Sequence, residues 1–495
     1  MKNEKFPLVS CILVTTAKRI KYIPLALRVW WEQTYANSEL IIVTEDDLSD
    51  FIPVHPRIKV ILCEPATVGK KRNIACNAAK GEIIVHFDDD DWYGPTRVED
   101  YVKLLIKNSD IYVIGYNRAR YYEVDTKIAR TYTFPRKWVS GSSLCYRKSF
   151  WETNKFPDIS VGEDNAFIEK TPPIRIMSLD GYDSHILRDH NENTWNRKKY
   201  YEPTYWKIID ARKTEILLNS YQKTKIVLGL LSWNNKEDTL KHLGLLCEEA
   251  ENLRKFNFDP RIVVVDNGSK DGTQKGIKEK FGGIHKILNK KNLGSAIARN
   301  QIIDYSVKIG SEFIFFIDCD IAIIPFSVME LFRWLREHAN FAYCVGANCF
   351  ADVKKPELAH PYCLRLTPSL CQIFCAMTQY GLFYTNILNK YRFDEHYGPG
   401  WGFEDNDLDL TIQHYTGLRA FWNYMPYLHQ HAHYSINEIK NKGQDPEKMI
   451  RERYAYAIEK WKNVPKFAEL IQKMDQERKT ENKLIPFVEH IDNKK

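Results

Sequence analysis

The sequence lacks a long uncharged apolar run, a signal-peptide core and any Cys-x-x-Cys pair. Its best apolar stretch, EFIFFIDCDIAIIP, is interrupted by Asp318 and Asp320, so no segment reaches the roughly 18 apolar residues of a membrane-spanning helix. The N-terminus, MKNEKFPLVS, has no apolar leader segment. The 11 cysteines are odd in number and include predicted buried positions, which favours reduced thiols. We therefore expect a cytoplasmic chain without a membrane span.

The sequence also has little excess charge. A net charge of +7 permits a polyanionic partner without requiring one. Hydrophobic residues make up 44% and charged residues 27%, which is ordinary for a globular protein. A chain of 495 residues is too long for one ordinary core, so two or three domains are expected.

Two halves of the chain show the same alternation of apolar strands and helices. In the first half, strands are predicted at 7–16, 39–43, 57–62 and 82–87, with helices at 24–35 and 71–79. In the second half, strands are predicted at 225–235, 261–269, 285–288 and 312–318, with helices at 237–255, 272–281 and 295–308. Such alternation predicts an α/β fold with a mostly parallel sheet, here duplicated. The predicted domains are 1–215 and 216–465, with a polar, helical linker near 200–224 and a charged helical or frayed tail at 466–495.

Clusters of aspartate end an apolar strand in each half. FDDDDW follows EIIVH in the first half, and FIDCD ends the corresponding strand of the second. Ligands of open α/β sheets bind beyond the carboxyl ends of the strands. Neighbouring aspartates are tolerable around a divalent cation, and hard oxygen ligands suit Mg²⁺ or Mn²⁺. The competing interpretation is a solvated acidic turn that caps the next helix.

On these residues the chain resembles GT-A-fold glycosyltransferases of the family-2 type, once in each half. The D-x-D motif of that family matches Asp88 and Asp90 in the first half and Asp318 and Asp320 in the second. The resemblance implies two tandem GT-A (Rossmann-like) domains. It assigns Asp90 and Asp320 to a Mn²⁺ or Mg²⁺ ion, and Asp88 and Asp318 to a nucleotide-sugar donor, with a UDP-sugar favoured.

Further motifs of the second half match the nucleotide-binding segments of that family. VVVDNGSKDGT resembles the turn whose aspartate, here Asp266, bonds the base. NLGSAIARN resembles the segment whose arginine, here Arg299, approaches the nucleotide. The resemblance also assigns Ser232, at the end of the first strand of this half, to nucleotide binding.

The first half matches the nucleotide-binding pattern with one departure. VGKKRN offers Arg72 in place of the approaching arginine, and Thr15 corresponds to the residue at the end of the first strand. ELIIVTEDD has Thr44 where the family usually has aspartate, so that Glu45 or Asp46 would have to substitute. The donor specificity of the first half is therefore open.

Each half also resembles the family in its acceptor-side carboxylates. GEDNAF resembles the E-D motif, which implies Asp164 as the catalytic base with Glu163 orienting the acceptor. GPGWGFEDNDLDL is similar to the W-G-x-E-D segment of β-1,4-galactosyltransferases and of chondroitin and hyaluronan polymerases. That similarity implies Asp405 as the base, Glu404 beside it and Trp401 packing on the sugar and donor.

In this family a histidine after the acceptor-side helix completes the metal site. HNENTW places His190 there in the first half, with His185 as the competitor. LHQHAHYS offers three histidines in the second half, of which His433 is favoured, then His431, over His429. A histidine in a polar loop with no metal is the alternative at each position.

The leading hypothesis is a bifunctional, metal-dependent, inverting glycosyltransferase acting on a glycan or glycoconjugate. One alternative acceptor is DNA with hydroxylated bases, as in viral genome modification, because RTYTFPRKW and NRKKYY are basic and aromatic. An alternative function is that one domain, more readily the first, only binds nucleotide sugar or glycan and does not catalyse transfer. A nucleotidyltransferase or pyrophosphatase would leave the E-D and W-G-x-E-D segments without a role.

Overall fold

The computed structural model describes residues 6–134, 138–193, 206–337, 341–348, 363–367, 370–373, 379–399, 402–429 and 445–480. The chain forms two compact units. We call domain one the unit of Met1–Lys223 with Lys255–Asn257, and domain two the unit of Thr224–Arg254 with Phe258–Lys495.

Domain one alternates strands and helices from its first strand onward. Its strands are β1 Val9–Val14, β2 Ser38–Thr44, β3 Ile58–Leu62, β4 Ile83–His86, β5 Trp92–Tyr93, β6 Val113–Glu123, β7 Ala129–Thr133, β8 Cys145–Arg147, β9 Ile176–Asp180, β10 His185–Asp189 and β11 Trp206–Ile209. Its α-helices are α1 Ile23–Trp31, α2 Val68–Ala78, α3 Arg97–Lys107, α4 Lys148–Thr153, α5 Glu163–Glu169 and α6 Arg212–Asn219. Short 3₁₀ helices lie at Ala17–Tyr22, Gly141–Ser143 and Pro173–Arg175.

The sheet of domain one has a parallel half and a mixed half. The described strands follow the order β11-β7-β6-β8-β4-β1-β2-β3. β4, β1, β2 and β3 run parallel, and β8 joins β4 in the antiparallel sense. β9 and β10 pair with β6, and β10 also pairs with β5. Because β1 and β4 are neighbours in parallel register, Thr15 and the aspartates after β4 reach the same edge of the sheet.

Domain two repeats this arrangement. Its described strands are β12 Thr224–Ser232, β13 Phe258–Asp266, β14 His285–Leu288, β15 Phe313–Asp318, β16 Ile321–Ala322, β17 Phe341–Asn348, β18 Cys363–Thr367, β19 Leu370–Ile373, β20 Tyr380–Tyr384 and β21 Arg419–His429. Its described α-helices are α7 Lys236–Lys255, α8 Thr273–Lys280, α9 Ser295–Lys308, α10 Ser327–Glu337, α11 Thr385–Lys390, α12 Glu404–Thr416, α13 Pro446–Trp461 and α14 Pro465–Thr480, with a 3₁₀ helix at Glu395–Tyr397.

The second sheet has the same parallel core in the same order. Its described strands follow β14-β13-β12-β15-β20-β17-β21-β19-β18, and β16 pairs with β21. β14, β13, β12 and β15 are parallel, and β20 joins β15 in the antiparallel sense. The order third-second-first-fourth strand is therefore common to both domains. Both are α/β domains of the GT-A, Rossmann-like type, as the sequence predicted.

The strands form because their side chains are apolar on both faces and helices cover both faces. Cys11, Ile12 and Leu13 of β1 are buried, as are Ile226, Val227 and Leu228 of β12. The predicted strands and helices of both halves are confirmed, with ends that differ by a few residues. The cysteines whose side chains the structure describes are free thiols: Cys11, Cys63, Cys76, Cys145, Cys247 and Cys319.

Two segments differ from what their polarity suggests. In the described part of the predicted helical linker, Trp206–Ile209 form β11, which pairs with β7, and Arg212–Asn219 form the helix α6. The described part of the charged C-terminal segment, up to Thr480, forms α14, whose Phe467, Ile471 and Met474 are buried with α13 in one apolar cluster. Across the described ranges, no helix is both long and apolar enough to cross a membrane.

Candidate active sites

The four aspartates of domain one are mostly buried, so the solvated acidic turn is wrong for them. Asp89, Asp90 and Asp91 are only 2–3% exposed. Burial raises the pKa of Asp88, and the neighbouring aspartates add to the effect. The turn is held by Tyr93, whose hydroxyl accepts the backbone N–H of Asp88 at 3.0 Å. A buried carboxylate needs hydrogen-bond donors or cations beside it, and each aspartate here has different partners.

Arg72 links the D-x-D motif to the acceptor-side motif in domain one. This buried side chain of α2 donates to Oε1 of Glu163 at 2.6 Å and lies 3.7 Å from Oδ1 of Asp88. Burial raises the pKa of Glu163, and the Arg72 charge opposes that rise. Asp164 follows Glu163 at the start of α5, and its Oδ1 accepts the N–H of Asn165 at 2.8 Å. The residues predicted as base and donor ligand are therefore neighbours.

The two histidine candidates of domain one contact different aspartates. Nε2 of His190 lies 2.9 Å from Oδ2 of Asp90. The fully buried His185 lies 3.3 Å from Asp91 and stacks on the ring of Tyr93. His190, the favoured candidate, is thus the histidine beside the second aspartate of the motif, whereas His185 belongs to the core behind it.

Glu45 and Asp46, the residues that could replace the aspartate missing at Thr44, are bonded to other groups of the protein. Glu45 forms an ion pair with Lys71 at 2.8 Å, and the bond from Lys71 lowers the pKa of Glu45. Asp46 accepts the backbone N–H of Ala17 at 2.6 Å. The Thr44 hydroxyl donates to the backbone carbonyl of Asp46. Thr15, predicted to bind nucleotide, donates its hydroxyl to Oδ2 of Asp89 at 2.6 Å.

Arg299 occupies in domain two the position that Arg72 has in domain one. Its Nη2 donates to Asp318 at 3.0 Å, its Nη1 donates to Asp405 at 3.0 Å, and Glu404 lies 3.6 Å away. Burial raises the pKa of Asp318 to about 6, with Arg299 opposing the rise and Asp320 adding to it. One guanidinium therefore joins both predicted motifs in this domain too.

Asp266 ends β13 with one bonded and one unbonded oxygen. Its Oδ1 accepts the N–H groups of Gly268 and Ser269 and the side chain of Gln274. Its Oδ2 is buried and has no hydrogen-bond partner within the described part of the chain. A buried acceptor left open is costly unless a ligand completes it. Ser232, by contrast, is buried with its hydroxyl 2.7 Å from that of Thr239.

A glycine at the start of each arginine-bearing helix lets the loop ahead of the E-D motif approach the helix. A Cβ on Gly294, whose φ is +97°, would lie 2.3 Å from the carbonyl oxygen of Gly398. A Cβ on Gly69 would lie 1.9 Å from the carbonyl oxygen of Pro157. Both approaches bring the loop ahead of the E-D motif against the helix that carries the arginine. Ser295 adds a hydroxyl bond to Glu404 at 2.5 Å.

The C-terminal helices of domain two support its acceptor-side motif, which the sequence did not indicate. Arg453 of α13 donates to the carbonyl of Gly402 at 2.8 Å and lies 3.5 Å from Oε2 of Glu404. Lys460 forms ion pairs with Asp394 at 2.7 Å and Asp407 at 2.6 Å. These contacts join residues far apart in sequence, so no local pattern could have identified them.

Three predicted residues of domain two lie outside the described residues: Trp401, His431 and His433. The backbone of His429 is described and pairs with Ile321, directly after Asp320. This register brings the end of β21 beside the D-x-D motif. The assignment of His433 to a metal stays a prediction.

The fit of a divalent metal differs between the domains. Within the described residues, no group of three or more His, Cys, Asp and Glu side chains is arranged to hold a metal ion. In domain two, Asp320 is a hard oxygen donor beside the partly exposed Asp318, and the two negative charges lie close enough that each favours a nearby cation, so a divalent ion suits this position. In domain one, Oδ2 of Asp90 already lies near Arg19 at 2.5 Å as well as His190, and this donor set does not fit. Arg19 carries no feature that would have singled it out among the basic residues of AKRIKY.

Comparison with known proteins gives a family match in both halves. The model of glycosyl transferase family 2 matches residues 11–162 and 246–401, together more than half of the chain. The putative glycosyltransferase EpsH of Bacillus subtilis (strain 168) is 32% identical over 138 residues, which are 26% of this chain and 39% of that protein. The chain therefore spans less than half the length of this curated relative.

Solved structures also show similarity over part of the chain. TarS 1-349 of S. aureus in complex with UDP-GlcNAc has a TM-score of 0.31 and 17% identity, covering 39% of this chain and 62% of that chain. The mannosyltransferase PcManGT from Pyrobaculum calidifontis, in complex with GDP-Man and Mn²⁺, has a TM-score of 0.32 and 18% identity, covering 46% of this chain and 65% of that chain.

Proposed function

The chain belongs to glycosyl transferase family 2, and on that premise we propose that each domain transfers a sugar from a nucleotide-sugar donor to a hydroxyl of a glycan or glycoconjugate. The observation that carries the proposal is the repeated bridge at the sheet edge. A buried arginine, Arg72 or Arg299, joins the first aspartate of D-x-D to the carboxylates of the E-D motif. Two complete sets of these residues support two active sites.

In the proposed reaction, Asp164 or Asp405 accepts the proton of the acceptor hydroxyl. As that oxygen forms a bond to the anomeric carbon, the bond from this carbon to the diphosphate breaks and the nucleoside diphosphate leaves with the electron pair. A single base opposite the leaving group predicts inversion of configuration. A general base of this kind contributes about 10²–10⁴-fold to the rate.

Glu163 and Glu404 are proposed to position the acceptor hydroxyl beside the catalytic base. Glu404 is 6% exposed and is fixed by Ser295, Arg299 and Arg453. A carboxylate held this firmly can orient an acceptor hydroxyl next to Asp405 without itself moving. Arg72 does the same for Glu163 in domain one.

In domain two, Asp320 would hold Mn²⁺ or Mg²⁺, with His433 as the second predicted ligand. Such an ion, when bound, supplies positive charge that stabilises the departing diphosphate. Asp266 supports donor binding independently, since its buried Oδ2 is an open acceptor for an N–H of the base. Uracil and guanine both present such an N–H group, so a UDP-sugar or a GDP-sugar fits this acceptor, and the family resemblance favours the UDP-sugar.

A second candidate function applies to domain one alone: nucleotide-sugar or glycan binding without transfer. It is favoured by the turn at Thr44, where Glu45 and Asp46 are bonded to Lys71 and Ala17 rather than open to a base. For the DNA acceptor, part of RTYTFPRKW and all of NRKKYY lie outside the described residues. Arg130 of the first segment is paired with Glu123. No contact in the described residues favours that acceptor.

The test is release of nucleoside diphosphate from a panel of nucleotide sugars by the full chain and two matched variants. We expect Asp164→Asn and Asp405→Asn each to abolish consumption of one donor while nucleotide binding remains. If only Asp405→Asn has an effect, domain one is the non-catalytic module. If no nucleotide sugar is consumed or bound with or without Mn²⁺, the proposed function is wrong.

A further inference from the structure

The second D-x-D aspartate of domain one is bonded to an arginine. Arg19 lies in the 3₁₀ helix Ala17–Tyr22 that follows β1. Its Nε donates to Oδ1 of Asp89 at 2.8 Å, and its Nη2 lies 2.5 Å from Oδ2 of Asp90. The planar guanidinium thus spans both carboxylates, which is the geometry of a strong charge-assisted pair. Positive charge is already present where a metal would supply it.

The oxygen predicted to ligate a metal is surrounded by donors. Oδ2 of Asp90 lies 2.5 Å from Arg19, 2.9 Å from Nε2 of His190 and 3.0 Å from Nδ2 of Asn193. A divalent cation at coordination distance from this oxygen would displace these donors and meet the like charge of the guanidinium. These contacts therefore indicate that Asp90 fixes the position of Arg19 and does not bind a metal ion.

Two more cations surround the same position. The Tyr22 ring stacks on His190 with centroids 4.8 Å apart. The charged groups of Arg19, Lys21 and Arg188 lie 5.6, 5.1 and 5.6 Å from the centre of that ring. Lys21 is paired with the exposed Glu192 at 2.9 Å. Three cationic side chains therefore lie around the ring above the aspartates.

Arg188 provides a donor that the protein does not use. Its Nε donates to the backbone carbonyl of Asp90 at 2.6 Å, which fixes the guanidinium above the motif. Its Nη2 is buried and has no hydrogen-bond partner among the described residues. A buried guanidinium N–H without an acceptor is costly, and the guanidinium group matches the geometry of phosphate oxygens.

We propose that domain one binds the diphosphate of its donor through Arg19 and Arg188, without a divalent metal ion. Asp89 and Asp90 hold Arg19 in place, His190 and Asn193 complete the acceptor bonds of Asp90, and Lys21 adds charge at the rim. This inference rests on the proposed function, because the diphosphate is that of a nucleotide sugar.

The comparison with domain two gives the inference its specificity. There the arginine on the D-x-D motif is Arg299, which contacts the first aspartate, Asp318. The helix α7 that follows the loop after β12 begins with Lys236, whose side chain lies beside Gly272 and whose backbone N–H donates to Asp271. Domain two therefore keeps the prediction of a divalent ion at Asp320.

The first experiment counts Mn²⁺ bound to the full chain by electron paramagnetic resonance in the presence of excess UDP, and in parallel excess GDP. We expect one Mn²⁺ per chain, lost in Asp320→Asn and retained in Asp90→Asn. Two ions per chain, one of them removed by Asp90→Asn, would overturn the inference and leave the proposed function standing.

The second experiment measures UDP and GDP binding by calorimetry in EDTA. We expect one nucleotide site to remain, weakened more than tenfold by Arg19→Gln and less by Arg19→Lys, which keeps the charge. The matched control is Arg212→Gln, since Arg212 pairs with Asp210 on the exposed surface. Loss of all binding in EDTA, or binding that Arg19→Gln leaves unchanged, contradicts the inference alone. Absence of binding both with Mn²⁺ and in EDTA overturns the proposed function as well.

Discussion

Domain one and domain two place the same two acidic motifs at the same edge of the same parallel sheet core. They differ in how each motif is completed. In domain one, Arg19 and Asn193 bond the second aspartate, and the nucleotide turn carries Thr44. In domain two, the turn carries Asp266, and Arg453 of a C-terminal helix fixes the acceptor-side motif.

The comparison teaches which part of the site the fold itself demands. The arginine bridge occurs in both domains, so it depends on the shared arrangement of the fourth strand, its preceding helix and the E-D helix. Three features differ between the domains: the surroundings of the second aspartate, the nucleotide turn and the support of the acceptor-side motif. These features would give the two domains different donors and different transfers. Four predictions test this division.

The largest effect is expected from removing the bridge. Arg299→Met leaves Asp318, Asp405 and Glu404 without their shared cation, and Arg72→Met leaves Asp88 and Glu163. Breaking a buried ion pair costs about 3–5 kcal/mol, and we expect the larger loss for Arg299 because it neutralises more carboxylates. Denaturant unfolding of the full chain, with a separate transition for each domain, measures both. A loss below about 1 kcal/mol in either domain would mean that its carboxylates do not need the arginine.

Nucleotide affinity should separate the two turns. Asp266→Asn replaces a carboxylate by an amide at the open acceptor position, and a hydrogen bond to a charged group is worth about 1.5–3 kcal/mol. We expect UDP binding to domain two to weaken about 10- to 100-fold. Thr44→Val is the matched change in domain one and should leave nucleotide affinity within about twofold. Equal losses at both sites, measured by calorimetry, would show that the turns act alike.

The C-terminal support should affect only the transfer of domain two. Arg453→Met frees Gly402 and Glu404 from α13, and we expect the turnover number to fall about tenfold while donor affinity is unchanged. Arg453→Lys should recover part of the loss. The control is Lys462→Met, an exposed neighbour paired with Glu459. Steady-state kinetics that show a changed donor KM and an unchanged turnover number would contradict a positioning role.

The smallest effect concerns equivalent helix caps. In domain one the amide oxygen of Gln33 accepts the N–H of Val98 at the start of α3. In domain two the carboxyl group of Glu249 accepts the N–H groups of Phe326 and Val328 at the start of α10. Burial raises the pKa of Glu249 to about 7. The folded protein therefore keeps the Glu249 proton up to a higher pH than the unfolded chain does. The stability that this proton contributes is fully present below about pH 4.3, the pKa of the unfolded chain, and is lost as the pH rises through 7.

Glu249→Gln should therefore gain Tm relative to the native chain as the pH rises from 5.5 to 8.5, by about 2 °C or more. The reverse change, Gln33→Glu in domain one, should lose Tm over the same range. Calorimetric scans at the two pH values measure both domains. A constant difference between Glu249→Gln and the native chain would show that Glu249 does not titrate between the two pH values.

The sequence by itself determined the α/β fold, the duplication, and the strands and helices of both parallel cores. These follow from apolar runs and from periodicity within a single element, which local residues specify. The same locality placed the D-x-D aspartates, because they end a strand, and the E-D carboxylates, because they begin a helix.

Only the tertiary structure decided how those groups are paired. The bridges that Arg72 and Arg299 form between two acidic motifs were not predicted, and their approach to a nucleotide stays a prediction; Arg19, Asn193 and Arg453 were not predicted at all. Each contact joins residues on elements distant in the chain, so its existence depends on the packing of whole helices and strands. Burial, which turned FDDDDW from an acidic run into four separately bonded carboxylates, is likewise a property of the assembled fold and not of the local sequence.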